Sequence, residues 1–382
     1  MSQTVIHTNC RHYRTDRPCT PHKQHGVTCA GCRFHDAIEE RILIIKLDAI
    51  GDVLRTTSIL KPLKQKYPRA EVTWLTRRAS LDLLLNNPFV DRRVAFGEDA
   101  LLLLATKQFD VVINPDASEE STRLATLARG RKKVGFVLDD GGVIQPLNDA
   151  AERWYQMGLN DSLKRANTRT YQSILLDICD LPRVENPILF RLTSEETAFA
   201  LDFAGRHGVK PDGNPVLGLN TGAGGRWEWK KWTLEGYSDL IRAALDRVPD
   251  VRILLYGGPE ERERNAQLHS IAPARVVDTG ATNTLRQFGA LVSLCDVMVT
   301  GDTLGMHVAT ALGKKIVALF GPTSSAEIEL YGQGVKIVPQ SMSCLCCYLS
   351  DCDVRPACMQ RIQVDRVFGE VARAITETRV VA

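Results

Sequence analysis

One pattern runs through this chain twice and constrains it more than anything else. A short aliphatic run leads to a turn, an amphipathic stretch and another short aliphatic run. In the first half, residues 42–47 are aliphatic and of strand length, and 48–52 read as a turn. Residues 53–67 carry apolar side chains at helical spacing, ahead of Pro68 and the strand-like 72–76. The series continues through 111–114 and 133–136. A second set begins at 216–219 and repeats at 253–256, 297–300 and 316–320, with helical stretches at 232–247 and 303–312. Strands alternating with helices imply parallel pairing and right-handed crossovers. Two such blocks predict an α/β chain of two doubly wound, Rossmann-like domains. Pro182 and Pro187 interrupt the pattern and place the boundary near 181–187. The expected division is a Cys/His-rich extension over 1–36, a first domain over 37–185 and a second over 186–382. The second domain closes with an amphipathic helix over 364–378, its apolar face formed by Val364, Val367, Phe368, Val371 and Ile375.

A length of 382 residues suits two domains with separate cores. A formal charge of +3 is too small to argue for a nucleic-acid partner. No apolar run approaches the ~20 residues that span a bilayer, and residues 1–10 are polar rather than signal-like. The expected compartment is the cytoplasm. Peripheral contact with the inner membrane and self-association both stay open.

In open α/β sheets ligands bind beyond the carboxyl ends of strands. The first such place is Lys46 to Arg55, where Gly51 permits a tight turn and Asp52 opens a helix. Asp52 there is a functional carboxylate or no more than a helix N-cap. The loop lacks both the dinucleotide fingerprint and the P-loop. The second place is Asn220-Thr221-Gly222-Ala223-Gly224-Gly225-Arg226, whose glycines allow close approach to a phosphate. Lys230 and Lys231 follow, between Trp229 and Trp232, either to neutralise a diphosphate or as a solvated pair. The third place is Thr300 to His307, where a helix start attracts phosphate oxygens. Asp302 or Thr303 is alternatively only a cap, and His307 only a structural residue. Phe320-Gly321-Pro322-Thr323 supplies one more turn with hydroxyl and amide donors.

In this order the motifs resemble those of glycosyltransferase family 9, the ADP-heptose-dependent heptosyltransferases of bacterial surface-polysaccharide assembly, over roughly residues 41–375. The family's Leu-Gly-Asp-Val appears as Ile50-Gly51-Asp52-Val53, its lysine–tryptophan element as Lys231-Trp232, and its Gly-Gly-Pro loop as Gly257-Gly258-Pro259 with Glu261, or Glu260 beside it. Its Asp-Thr-x-x-x-His element is Asp302 to His307, and its Gly-Pro-Thr is Gly321 to Thr323. Leu304 stands where the family commonly has glycine, and Gly305 follows. The resemblance implies a GT-B architecture, with acceptor on the first domain and nucleotide sugar on the second, and inversion without a catalytic metal. It implies Asp52 as base and Lys231 with the amides of 303–305 against the leaving diphosphate. Thr221, Gly222, Glu261, Asp302, Thr303, Gly305, His307, Gly321, Pro322 and Thr323 are expected around the donor, with Glu261 on the ribose. Arg55, Thr56, Thr57 and Asp116 are expected around the acceptor, or else on a solvated helix face. The acceptor is a surface glycan or a protein hydroxyl. The alternatives are a sugar-nucleotide epimerase of the same fold and a non-catalytic metal-binding assembly protein.

Of the 11 cysteines, Cys179 and Cys295 lie in apolar runs and read as core. Cys10, Cys19, Cys29 and Cys32 supply four thiolates among five histidines, in a segment too poor in aliphatics to build a core. Cys344, Cys347, Cys352 and Cys358 form a second set, leaving Cys346 spare. Each set matches the count of a closed zinc or iron site, or iron–sulfur cluster, of structural kind. In the first set His12, His22, His25 or His35 can replace a thiolate, and disulfides or free thiols are the alternative. Some members of the resembling family, including protein-modifying ones, carry such an insert with iron.

Overall fold

Two six-stranded sheets organise the chain in a computed structural model that describes residues 5–209, 213–224 and 227–381. The first sheet is built from β1 (Arg41–Ile45), β2 (Glu71–Thr76), β3 (Arg92–Ala95), β4 (Phe109–Asn114), β5 (Gly130–Leu138) and β6 (Ile144–Pro146). They lie in the order β3-β2-β1-β4-β5-β6, parallel except for the antiparallel β6. β1 is covered on both faces, which is why it is continuously aliphatic rather than alternating. Ile42 and Ile44 pack with Val72 and Trp74 on one side. Leu43 and Ile45 pack with Leu75 and Phe109 on the other, as the two-residue period of a strand requires.

The second sheet contains β7 (Val216–Asn220), β8 (Arg252–Tyr256), β9 (Val276–Asp278), β10 (Val297–Gly301), β11 (Lys315–Leu319) and β12 (Gly334–Ile337). All its pairs are parallel, in the order β12-β11-β10-β7-β8-β9. Counted within each domain, both sheets therefore run 3-2-1-4-5-6. Each has one switch point, between β1 and β4 and between β7 and β10, where a doubly wound sheet opens a crevice.

The stretch 53–67, read above as one helix, is three pieces: helix Ile50–Thr56, a 3₁₀ turn Thr57–Ile59 and helix Leu60–Lys66. Pro62 has no N–H for the carbonyl of residue 58, so a continuous ladder fails there. The Thr57 hydroxyl fixes the bend, donating to Leu54 O at 2.6 Å and accepting from Leu189 N at 2.8 Å. That second bond crosses to the segment entering the other domain. Leu54 and Leu83 from the first half join Phe190, Leu291 and Met306 in one apolar cluster. The terminal helix, Val364–Val381, packs its five expected residues against Leu240 and Ile241.

The N-terminal extension has one short helix, Thr20–His25, and is tied down by arginine rather than by thiolates. Arg11 pairs with Asp36 at 3.1 Å and with Asp91, and donates to Ala70 O at 3.2 Å. Among the described residues no three metal-ligating side chains converge, so neither Cys10, Cys19, Cys29 and Cys32 nor the second set forms a closed ligand shell. All the cysteines are free of disulfides. Cys179 and Cys295 are core, as their surroundings in the sequence require.

Candidate active site

The two switch points face each other. A Cβ placed on Gly51 would lie 3.1 Å from His307 Cδ2 and 3.7 Å from the Leu304 Cα. The start of helix Ile50–Thr56 therefore abuts the start of helix Leu304–Ala311, and glycine at 51 is what lets the two backbones approach.

Asp52 is the third residue of its helix rather than the N-cap, which is Ala49. Its Oδ2 accepts from Ala49 N at 3.3 Å, and Arg55 Nε stands 2.8 Å from Oδ1. A third of the Asp52 side chain remains open. Burial alone would raise its pKa, but Arg55, Lys46 and His307 outweigh burial and hold it at about 2. Lys46, at the end of β1, is buried with Asp116 Oδ2 at 3.1 Å. Burial works against its charge, yet Tyr171, Asp116 and Asp52 keep it protonated with a raised pKa.

The acceptor-side residues divide. Asp116 is partly open beside Lys46. Arg55 is committed to Asp52 and stacks its guanidinium 3.7 Å over the Tyr171 ring. Thr56 and Thr57 are fully buried, which contradicts both an acceptor contact and a solvated helix face. Their hydroxyls go to Asp52 O at 2.6 Å and Leu54 O at 2.6 Å, the usual sink for threonine inside a helix.

On the facing wall, Lys230 Nζ lies 3.3 Å from Asp302 Oδ2. Lys231 instead meets Glu228 at 2.8 Å and Glu261 at 3.3 Å. The lysine at the cleft is thus Lys230, not Lys231, and neither belongs to a solvated pair. Burial would raise the Asp302 pKa, but Lys230, His307, Arg55 and the Thr323 hydroxyl bring it below the usual carboxylate range. Burial and the Arg55 charge push His307 down to about 4, so it is neutral at pH 7.

Asn220, to which the sequence reading gave no role of its own, ends β7 and donates to Thr300 Oγ1 at 3.0 Å and Thr303 Oγ1 at 2.8 Å. Its tie occupies the Thr303 hydroxyl, so helix Leu304–Ala311 begins without a side-chain cap. Gly305 follows from the same packing, since a Cβ there would come 2.8 Å from Asn220 Nδ2. An uncapped helix start beside a lysine suits an anion.

Other donor-side expectations change. The Thr221 hydroxyl is buried and spoken for by Asn265 Oδ1 at 2.6 Å. Gly222 lies over the Glu261 carboxylate, where a Cβ would come 2.5 Å from Cδ. Glu261 is itself buried, its Oε2 accepts from Gly258 N at 2.9 Å, and its Oε1 lies 3.3 Å from Lys231 Nζ without a hydrogen bond from the protein. Gly321 O and Pro322 O accept from Cys346 N and Tyr348 N at 3.0 and 2.9 Å. Through those carbonyls the loop docks the cysteine-rich insert, and the Thr323 hydroxyl reaches Asp302. Gly225 and Arg226 lie outside the described residues.

Residues 103–357, two-thirds of the chain, match glycosyltransferase family 9 (heptosyltransferase). The matched stretch begins after Asp52. Lipopolysaccharide heptosyltransferase 2 of Salmonella typhimurium is 25% identical over 317 residues, covering 74% of this chain and 83% of that protein. Among solved structures, a family 9 glycosyl transferase from Veillonella parvula aligns with a TM-score of 0.74 at 18% identity, over 89% of this chain and 98% of that one. The ADP-heptose lipopolysaccharide heptosyltransferase II of E. coli aligns at 0.65 and 18% identity, over 89% and 99%. These likenesses carry the fold, a GT-B pair of Rossmann-like domains across a cleft. With the family match covering most of both domains, the chain belongs to glycosyltransferase family 9, the heptosyltransferases.

Proposed function

We propose that the protein transfers heptose from ADP-heptose to a hydroxyl of a surface glycan or protein, with inversion and Asp52 as the base. One observation carries the reading. The helix that carries Asp52 abuts the helix that follows Asp302, with a Gly51 Cβ position 3.1 Å from His307 Cδ2, and Arg55 acts electrostatically on both carboxylates, which supports a base and a diphosphate site across one cleft. The acceptor oxygen attacks the anomeric carbon, its proton passes to Asp52, and the bond to the diphosphate oxygen breaks. Lys230 and the uncapped amides at Leu304 and Gly305 face the charge that develops on the leaving group. Against the effect of burial, Arg55, Lys46 and His307 hold Asp52 at about 2, so by itself it is a weak base. A dianionic donor entering beside Arg55 and Lys46 offsets their field and raises its proton affinity.

The family's transferase activity sets the epimerase and assembly-protein alternatives aside. The test is heptosyl transfer by wild type and Asp52→Asn, followed by mass spectrometry with ADP-heptose and cell-envelope acceptors. Wild-type rates from the variant would remove Asp52 from the mechanism.

A structural zinc or iron at the cysteine-rich insert belongs to the same proposal. Burial lifts the Cys358 thiol to about 11, and Cys347, Cys352 and Cys344 act on it in the same direction, which supports their belonging to one neighbourhood of the insert. Cys346 faces Glu327 and Ser324 instead. Four thiols suit a soft cation that would stiffen the insert, and metal well below one equivalent in freshly purified protein would end that reading. No described helix is long and apolar enough to cross a membrane. Cytoplasmic residence is proposed from the unpaired cysteines.

A further inference from the structure

Glu327 was absent from every sequence-based expectation, and its position is unusual for a carboxylate. It follows the Gly-Pro-Thr loop and is buried, with 8% of its surface open. Its backbone carbonyl accepts from Tyr171 N at 2.9 Å, across the domain junction. The Arg55 charge feels three carboxylates, Asp52 in direct contact and Asp302 and Glu327 at longer range. Asp52 has Arg55 as its ion-pair partner and Asp302 has Lys230. Among the described residues Glu327 has no cation within 4 Å. Its only side-chain donor is the Tyr348 hydroxyl, 3.4 Å from Oε1. Oε2 accepts nothing from the protein, yet it is not sealed off as the Glu261 Oε1 is.

A buried carboxylate with neither cation nor full hydrogen bonding is costly unless something outside the chain completes it. The missing partner must donate hydrogen bonds, because a carboxylate oxygen can only accept them, while Arg55 and Lys164 supply the positive field here and Asp302 opposes it. Hydroxyl groups on neighbouring carbons of a sugar fit that requirement. Tyr348 belongs to the cysteine-rich insert and is anchored where Glu327 needs it. Its hydroxyl also meets Ser324 N at 3.1 Å, its ring meets Trp227 edge-on at 5.8 Å, and Lys164 from the first domain lies 4.4 Å over its face.

We propose that Glu327 is a specificity-determining residue whose open carboxylate oxygen accepts hydrogen bonds from hydroxyls of the glycosyl group being transferred, with Tyr348 holding it in place. The inference rests on the heptosyl-transfer reading above. It commits to the donor sugar, because Glu327 shares its loop with Thr323, the partner of Asp302 at the diphosphate site.

The experiment is calorimetric titration of wild type, Glu327→Gln and Tyr348→Phe with ADP and with ADP-heptose, which differ only in the sugar. Glu327→Gln should weaken ADP-heptose binding by about 10- to 100-fold, the worth of a hydrogen bond to a charged group, and leave ADP binding unchanged. Tyr348→Phe should shift the same ligand in the same direction by about 2- to 10-fold, and it carries the test if Glu327→Gln does not fold. Equal loss of both ligands, no loss of either, or an effect confined to the acceptor KM overturns the inference. A wild type that transfers heptose while both variants bind ADP-heptose normally fails this inference alone. A wild type that binds neither ligand takes the donor reading down with it.

Discussion

Lys230 Nζ stands 3.3 Å from Asp302 Oδ2, while the next residue, Lys231, turns to Glu261 and Glu228. Two adjacent lysines thus face different tasks. The 3₁₀ turn Glu228–Lys230 sets that divergence.

Lys230→Ala should lower kcat for heptosyl transfer by about 100- to 1,000-fold, as loss of one preorganised donor to a leaving group does. Lys231→Ala should change kcat far less but leave the buried Glu261 unpaired, at a cost of about 3 to 5 kcal/mol in stability. Steady-state kinetics and denaturant melts of the two variants separate these effects. A larger kcat loss from Lys231→Ala would reverse the assignment.

Asp52→Asn should cost about 100- to 10,000-fold in rate, the span of acid–base assistance, while ADP still binds. Because the folded pKa is about 2, Asp52 stays ionised throughout the neutral and mildly acidic range. Its ion pair stabilises the fold fully above the unfolded value of about 3.9, and that contribution is lost as pH falls toward 2. Titration of Asp52 should therefore give kcat/KM no acid limb above about pH 5. Arg55→Met removes the charge that depresses the pKa and should move such a limb upward. Profiles of wild type and variant that superimpose would count against Arg55 as the cause.

His307 gives stability a pH dependence of its own. Its folded pKa is about 4, whereas an unfolded histidine titrates near 6.5, so between those values only the unfolded chain holds the proton. Stability contributed by the neutral ring should fall as pH drops through that window, by on the order of 3 kcal/mol by pH 4. Urea midpoints of wild type and His307→Gln at pH 7 and pH 5 test this, with the variant expected to show the shallower drop.

Gly321→Ala should dislodge the cysteine-rich insert. A Cβ there would come 2.5 Å from Cys358 Sγ and 3.0 Å from Met359 Sδ, and both of those side chains are core. Overpacking of this kind costs about 1 to 3 kcal/mol. Thermal melting should register it, together with weaker ADP-heptose binding as Tyr348 shifts. An unchanged melting temperature would mean that the insert moves aside freely.

Strands buried on both faces, such as β1 and β7, were legible in the sequence because continuous aliphatic runs leave no other reading. The edge strands β3, β6, β9 and β12 were not. β3 reads Arg-Arg-Val-Ala with its arginines exposed, so its pairing comes from a neighbour rather than from its own pattern. At the site, the sequence order marked Asp52, Asp302 and the glycines, which must be small or acidic for local reasons. It could not tell Lys230 from Lys231, because adjacent residues differ only in the direction the chain gives them. Asn220 and Glu327 carry no local signature, since their partners lie 80 and 21 residues away. Thr56 and Thr57 misled because polar residues on a helix suggest water, whereas both hydroxyls close onto the helix's own carbonyls.

The matching strand orders of the two sheets have one more consequence. On the reading proposed here, a polypeptide ending near residue 185 would own a proton acceptor and nothing to attack, and the remainder would clasp a nucleotide without ever cleaving it. Turnover is then a property of the seam, and substitutions that alter only how Leu54, Leu83 and Phe190 nestle together should change rate while leaving each sheet intact.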